Sequence, residues 1–198
     1  MTDLNHRHFI LNKPYGYISQ FLTNDPKARK KKFLGELYSF PEGTMAIGRL
    51  DEKSEGLLML TTNGKLSAKI TGSKIEKEYY AQVDGFTKLE ELEKLKNGVE
   101  IGINGEKYLT KPCLVNTIQT PQFEEREKKI RDDRHGPTSW VSITLTEGKF
   151  RQVRKMTAAV GLPTLRLVRV RIGDIHLSDL KMGEVKDITT EIENSNLI

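Results

Sequence analysis

The connections between strand-like runs constrain this chain's fold more than any other feature. His8 to Lys13 reads as a strand closed by the turn Pro14-Tyr15-Gly16, with extended structure resuming over Tyr17 to Leu22. Phe33 to Phe40 forms a short helix candidate stopped by Pro41 and Gly43. Thr44 to Gly48 and Leu57 to Thr61 read as strands flanking the loop Arg49 to Gly56, and Asn63-Gly64 leads into a short helix through Ile70. Tyr79 to Val83 is strand-like, and Thr87-x-x-Glu90 is a capping-box signature for a helix with Leu89, Leu92 and Leu95 in the core and a stop at Gly98. Val141, Ile143 and Leu145 alternate with Ser142 and Thr144, as in a half-buried strand, which feeds a helix from about Phe150 to Val160. Gly161 and Pro163 end that helix. Leu165 to Ile172 closes the series, with Arg169 and Arg171 on one side and Val168, Val170 and Ile172 on the other. Most links between strands are shorter than the roughly dozen residues that a parallel crossover needs. The pattern therefore predicts an α+β fold with a mainly antiparallel sheet.

Composition narrows the class. At 198 residues the chain is long enough for one or two small domains, and 36% apolar with 30% charged residues excludes a disordered or fibrous protein. No run approaches 18 apolar residues, and Met1 to Arg7 lacks the apolar core of a secretory signal, so neither a membrane span nor export is expected and the place of action is cytoplasmic. The single cysteine, Cys113, can form no internal disulfide and no thiol zinc cluster, and reads as a structural residue. The histidines show no ligand spacing beyond His6-x-His8, so no metal is expected.

Charge carries more information in its placement than in its sum. The net charge is +5, from 32 cations and 27 acids. Lys27-Ala28-Arg29-Lys30-Lys31-Lys32 holds five cations without an acid, and Lys149 to Arg171 holds seven more, again without an acid. Two such blocks fit a polyanionic partner such as nucleic acid, although a plain charged surface has the same composition. Residues 124 to 134, with five acids and five bases, read as a solvated loop.

Three elements could carry chemistry. Gly48-Arg49-Leu50-Asp51 places an acid in a loop between two apolar strands, where Asp51 could be a nucleophile, a general base, a metal ligand or simply a turn-former. At 100° per residue, Phe150, Val153, Met156, Thr157 and Val160 share an arc of roughly 120°, with Arg154 at its margin, able either to reach water or to point into a cleft toward a carboxylate. Lys77-Glu78-Tyr79 sets an aromatic ring at the start of a strand, suited either to packing or to stacking on a nucleobase.

Asn12-Lys13-Pro14-Tyr15-Gly16, Gly48-Arg49-Leu50-Asp51, Lys77-Glu78-Tyr79, Leu109-Thr110-Lys111-Pro112, Glu147-Gly148-Lys149-Phe150-Arg151-Gln152-Val153-Arg154-Lys155-Met156 and Leu167 to Gly173, in this order, resemble the RsuA-type family of RNA pseudouridine synthases. The resemblance spans residues 8 to about 190. Gly136 to Trp140 and Thr157 to Leu167 look like its RluE branch, which acts on large-subunit ribosomal RNA. The resemblance implies a catalytic domain over 1–198 with a mixed, mainly antiparallel sheet in two helix-flanked lobes and a central active-site cleft. It also implies Asp51 as the catalytic carboxylate, Tyr79 as the aromatic that packs on the target base and Arg154 as the basic partner of the aspartate, all three meeting in the cleft. The family often carries an S4-type RNA-binding domain in front, and a Lys-Pro motif beginning at residue 13 leaves no room for one.

The chemistry agrees with what the sequence holds. Uridine and pseudouridine are isomers, so no cofactor is expected, and the chain has neither GxGxxG nor a P-loop. An ionised Asp51 beside Arg154 would suffice, attacking C6 of the base or C1′ of the sugar, or removing a 2′ proton. The expected partner is ribosomal RNA, bound by a monomer through Arg49, Lys30, Lys31, Lys32, Arg151, Lys155 and Arg169. The alternative is a non-catalytic ribosomal-RNA binding or assembly module with the same fold; a generic acid-base hydrolase is a third reading.

Overall fold

The structure, a computed structural model, describes residues 6–195 apart from 25, 27–29, 73, 127, 131 and 132. Lys27 and Arg29 of the first basic block lie outside the described residues. In chain order the elements are β1 (His8–Lys13), β2 (Met45–Ile47), β3 (Glu55–Thr61), α1 (Gly64–Gly72), β4 (Lys77–Asp84), α2 (Leu89–Asn97), β5 (Glu100–Ile103) and β6 (Glu106–Leu109). They continue with β7 (Leu114–Ile118), β8 (Thr138–Leu145), α3 (Gln152–Ala159), β9 (Thr164–Ile172), β10 (Ile175–His176), β11 (Val185–Asp187) and α4 (Thr189–Glu193). The chain divides into two compact units, one of residues 1–73 with 177–198 and one of residues 74–176.

In the first unit β1 lies between β11 and β3, and β2 pairs with the end of β3, every pairing antiparallel. Phe9, Leu11, Leu58 and Leu60 project from β1 and β3 into a core that Leu34 completes, with Phe21, Leu37 and Phe40 against it. Rings dominate this packing: Phe9, Phe21 and Tyr38 all meet Phe40 or one another edge-on or tilted. That crowding explains why Phe33 to Phe40 is not the expected helix but a single 3-10 turn over Leu34–Glu36, with the Phe33 N–H donating to Glu36 Oε1 at 2.6 Å. Tyr17 to Leu22 is likewise no strand; its backbone is used in an irregular tie to residues 32–34, through Ile18 N–H to the Lys32 carbonyl and Leu34 N–H to the Gln20 carbonyl.

In the second unit the order is β9-β4-β8-β7, antiparallel throughout, with β10 on β9 and a separate β5-β6 hairpin. One sheet face, bearing Ala81, Val83, Val141, Ile143 and Leu145, packs with Val153 and Met156 of α3 and Leu95 of α2 in a single core. The other face is covered too: Tyr80, Phe123 and Trp140 contact in series, Arg166 lies over the Phe123 ring, and Ser142 Oγ donates to Glu78 Oε1 at 2.8 Å. Ser142 and Thr144 are therefore buried, and β8 is not the half-solvated strand that its alternation predicts.

Helix starts shift by one or two residues from the expected positions. The N-cap of α2 is Lys88, whose N–H donates to Glu91 Oε2 at 2.7 Å, while Glu90 pairs with Lys94 instead. Leu89, on the first turn, is consequently 73% exposed rather than core, whereas Leu95 is buried. Gly98 ends α2 at φ +97°, a conformation that a side chain would strain, and an added Cβ would fall 2.3 Å from the Thr110 carbonyl oxygen.

Candidate active site

The first unit holds Asp51 on a braced loop. Lys13, fully buried at the end of β1, turns back and donates its ammonium to the carbonyls of Pro14 at 2.8 Å and Tyr17 at 2.6 Å. That folds the Pro14-to-Tyr17 turn into a fixed shape, from which the Gly16 N–H donates to the Glu52 carbonyl at 2.8 Å. On the other side of Asp51, Ser19 Oγ donates to the Leu50 carbonyl at 2.9 Å and accepts the Leu50 N–H at 3.0 Å. The Ser54 N–H closes the turn onto the Asp51 carbonyl at 3.0 Å, and Lys31 pairs with Glu52 at 2.7 Å. Residues 50 to 54 are thus tied at both flanks of a half-buried carboxylate that no helix or strand holds. Gly48 enters the loop at φ +69°, and Arg49 is exposed beside it.

The second unit brings Tyr79 and Arg169 together. They are cross-strand partners in β4 and β9, and Tyr79 packs at the border of the core that α3 covers. A bulge puts Val170 out of register there, so Arg169 and Arg171 do not share a side. Arg171 goes with Glu78 and Glu76, at 3.0 and 2.9 Å, and Arg169 goes with Tyr79 at 4% exposure. Lys77 lies on the Tyr79 face; burial first, then the nearby Arg169 charge, pushes its ammonium pKa down. Arg169 is therefore a buried cation opposite Tyr79 in the strand register, not the surface phosphate contact that sequence suggests.

Arg154 sits half-buried on α3, between Val153 and the buried Met156 and Thr157, and its Nη1 donates to the Thr164 carbonyl at 3.3 Å. Thr157 Oγ1 and Thr164 Oγ1 are 2.7 Å apart and tie the same helix to β9. The helix begins at Gln152, because Arg151 takes a left-handed backbone, φ +53°, as its N-cap. Phe150 is consequently outside the buried arc, at 64% exposure.

Glu147 organises the approach to α3. Partial burial pushes its carboxyl up, but hydrogen bonds from Tyr108 Oη at 2.5 Å, the Lys111 N–H at 2.9 Å and Gln152 Nε2 at 2.6 Å outweigh it and hold the pKa below the usual range. Nothing in the spacing of the sequence indicates this acid; only the inward turn of residues 147–152 does. Of the remaining candidates, Lys30 and Arg151 are exposed, Lys32 lies over the Tyr17 ring and Lys155 donates to the Gly102 carbonyl at 2.6 Å. Burial pushes the Cys113 thiol up to about 11, and among the described residues no cluster of three His, Cys, Asp or Glu side chains could hold a metal ion. No helix among them is long and apolar enough to cross a membrane.

One unit carries a half-buried carboxylate on a braced loop, and the other carries Tyr79 opposite the buried Arg169 on an antiparallel sheet. The chain belongs to the RNA pseudouridylate synthase family, whose model matches residues 7–159. It is 45% identical over 190 residues to ribosomal large subunit pseudouridine synthase E of Vibrio parahaemolyticus, covering 94% of this chain and 76% of that one. It is 34% identical over 189 residues to ribosomal small subunit pseudouridine synthase A of Escherichia coli, covering 93% and 71%. The crystal structure of a pseudouridylate synthase matches 98% of this chain and 74% of its own, with a TM-score of 0.74 and 28% identity.

Proposed function

We propose that this RNA pseudouridine synthase isomerises a uridine of large-subunit ribosomal RNA, with Asp51 as the reacting carboxylate, Tyr79 as the ring that packs on the flipped base and Arg154 as the cation that orients and balances the aspartate. The observation that carries the assignment of Asp51 is the bracing of its loop: Lys13, Ser19 and Gly16 fix the backbone on both sides of one carboxylate. Preorganisation of that kind is what a group acting on one bond needs, and an ordinary surface turn does not need it. The relatives at 42–45% identity, all carrying the large-subunit name, support the choice of RNA.

The reaction balances without a co-reactant. The N1 to C1′ bond breaks, the uracil turns while both fragments stay enclosed, C5 joins C1′, the C5 proton leaves to solvent and N1 takes up a proton in its place. Asp51 can begin it at C6, at C1′ or at the 2′ proton, and each route needs the carboxylate ionised. Flipping the base out of folded RNA costs a few kcal/mol, which stacking on Tyr79 and phosphate contacts from Arg49, Lys30, Arg151 and Lys155 offset. On this reading the protein acts as a monomer in the cytoplasm, where its RNA substrate is assembled.

Mapping pseudouridines in ribosomal RNA from cells with and without this protein tests the proposal. One large-subunit position should lose its pseudouridine; an unchanged map, or loss confined to the small subunit, overturns it.

A further inference from the structure

The segment Glu147 to Lys155 exposes a ring where its sequence predicts a core residue. Its single acid, Glu147, is turned inward and held by Tyr108, Lys111 and Gln152, and the Lys149 N–H is fixed by Gln152 Oε1 at 2.9 Å. What faces solvent is therefore Lys149, Phe150 and Arg151 with no acid among them. The Lys149 ammonium lies 4.8 Å from the centroid of Tyr108, and that of Lys155 lies 5.1 Å from the centroid of Phe150. An apolar ring left in water between fixed cations matches the chemistry of an unpaired base and its flanking phosphates.

We propose that Phe150 is a stacking platform for an unpaired base of the RNA substrate other than the target uridine, with Lys149, Arg151 and Lys155 holding the adjoining phosphates. The proposal rests on the RNA-modifying function above and adds to it a residue that selects substrate. Three features set Phe150 apart from an ordinary exposed apolar residue. The left-handed Arg151 that follows it turns the chain so that the ring misses the α3 core. Gln152 and Glu147 lock the loop that carries it. The Lys155 ammonium, anchored on the Gly102 carbonyl at 2.6 Å, restrains the ring and leaves most of it accessible. Stacking tolerates any base but needs a π face, so it selects for an unpaired nucleotide at a set distance from the target, not for a sequence.

The test compares Phe150→Leu, Phe150→Ala, Phe150→Tyr and Phe150→Trp. With C5-tritiated large-subunit ribosomal RNA, the Leu and Ala variants should raise KM by about tenfold, as loss of one stacked base predicts, with kcat within about twofold. The Tyr and Trp variants should stay within about threefold of the parent. Leu keeps the apolar bulk and lacks only the π face, so a KM equal to the parent's for that variant overturns the proposal. The one native tryptophan, Trp140, is buried, so the fluorescence of Phe150→Trp reports on the platform itself. It should be quenched by an unstructured RNA oligomer and not by polyglutamate or duplex RNA; no quenching by the oligomer, or equal quenching by the polypeptide, overturns the proposal. If the parent protein releases no tritium, the function proposed above has failed; if it releases tritium and the Leu variant matches it, only the platform has failed.

Discussion

At the scale of single residues, the Asp51 loop rests on side chains committed to backbone. Lys13 is a fully buried cation whose ammonium serves two carbonyls, so Lys13→Met leaves both without their donor. Loss of stability of about 2 kcal/mol is expected in urea unfolding, together with reduced kcat, because the same turn carries the Glu52 tie. Equal stability would show that the turn stands without the lysine. Arg151 makes the opposite prediction. A non-glycine residue at φ +53° is strained, so Arg151→Gly should leave stability unchanged or raise it by about 1 kcal/mol while weakening RNA binding by one phosphate contact. Cys113, with its thiol pushed up to about 11 by burial, should resist an aromatic disulfide reagent at pH 8 until the protein is unfolded.

At the scale of elements, sequence places strands well and boundaries and faces poorly. β1 matches its expected limits, and β3, β4 and β9 fall within two residues of theirs, because alternating apolar residues report a sheet face directly. Phe150, Leu89 and Arg171 go astray for one reason in three forms. A helix that starts two residues late, a cap displaced by one residue and a bulge at Val170 each rotate the side chains that follow, and none changes the apolar pattern. The link from β11 to α4 shows what pattern cannot show at all. Partial burial pushes the Asp187 carboxyl up, but the Thr189 side chain and N–H and the Arg7 guanidinium outweigh it and hold it at about 2, against an ordinary 3.8. Its pKa is lower in the folded state, so its stabilisation is complete above about pH 3.8 and is lost as pH falls toward 2. Asp187→Asn should remove that part of the acid limb in a plot of urea midpoint against pH; an unaltered limb would mean the pair contributes nothing.

At the scale of the whole molecule, the net charge of +5 understates the surface available to RNA, because Lys149 and Arg151 are exposed on a segment whose single acid, Glu147, is held by Tyr108, Lys111 and Gln152. RNA affinity should therefore fall as salt rises, and Arg151→Ala should reduce the slope of log affinity against log salt by about one contact. The family was legible from six short motifs in order, and so was the identity of the candidate residues. What each motif does locally was not: Lys13-Pro14 belongs to the bracing of Asp51, and Glu147-Gly148-Lys149 to the display of Phe150. Each depends on a hydrogen bond between residues far apart in the chain, Gly16 to Glu52 in the first and Tyr108 and Lys111 to Glu147 in the second, which periodicity does not encode.

The most direct test of the central claim is tritium release from C5-labelled ribosomal RNA by Asp51→Asn. The substitution keeps the shape and one accepting oxygen and removes the negative charge, so release should fall below about one thousandth of the parent rate while RNA affinity stays within about threefold. Release at the parent rate would contradict the assignment of Asp51, and intact RNA binding without release by the parent protein would leave a binding module in place of the enzyme.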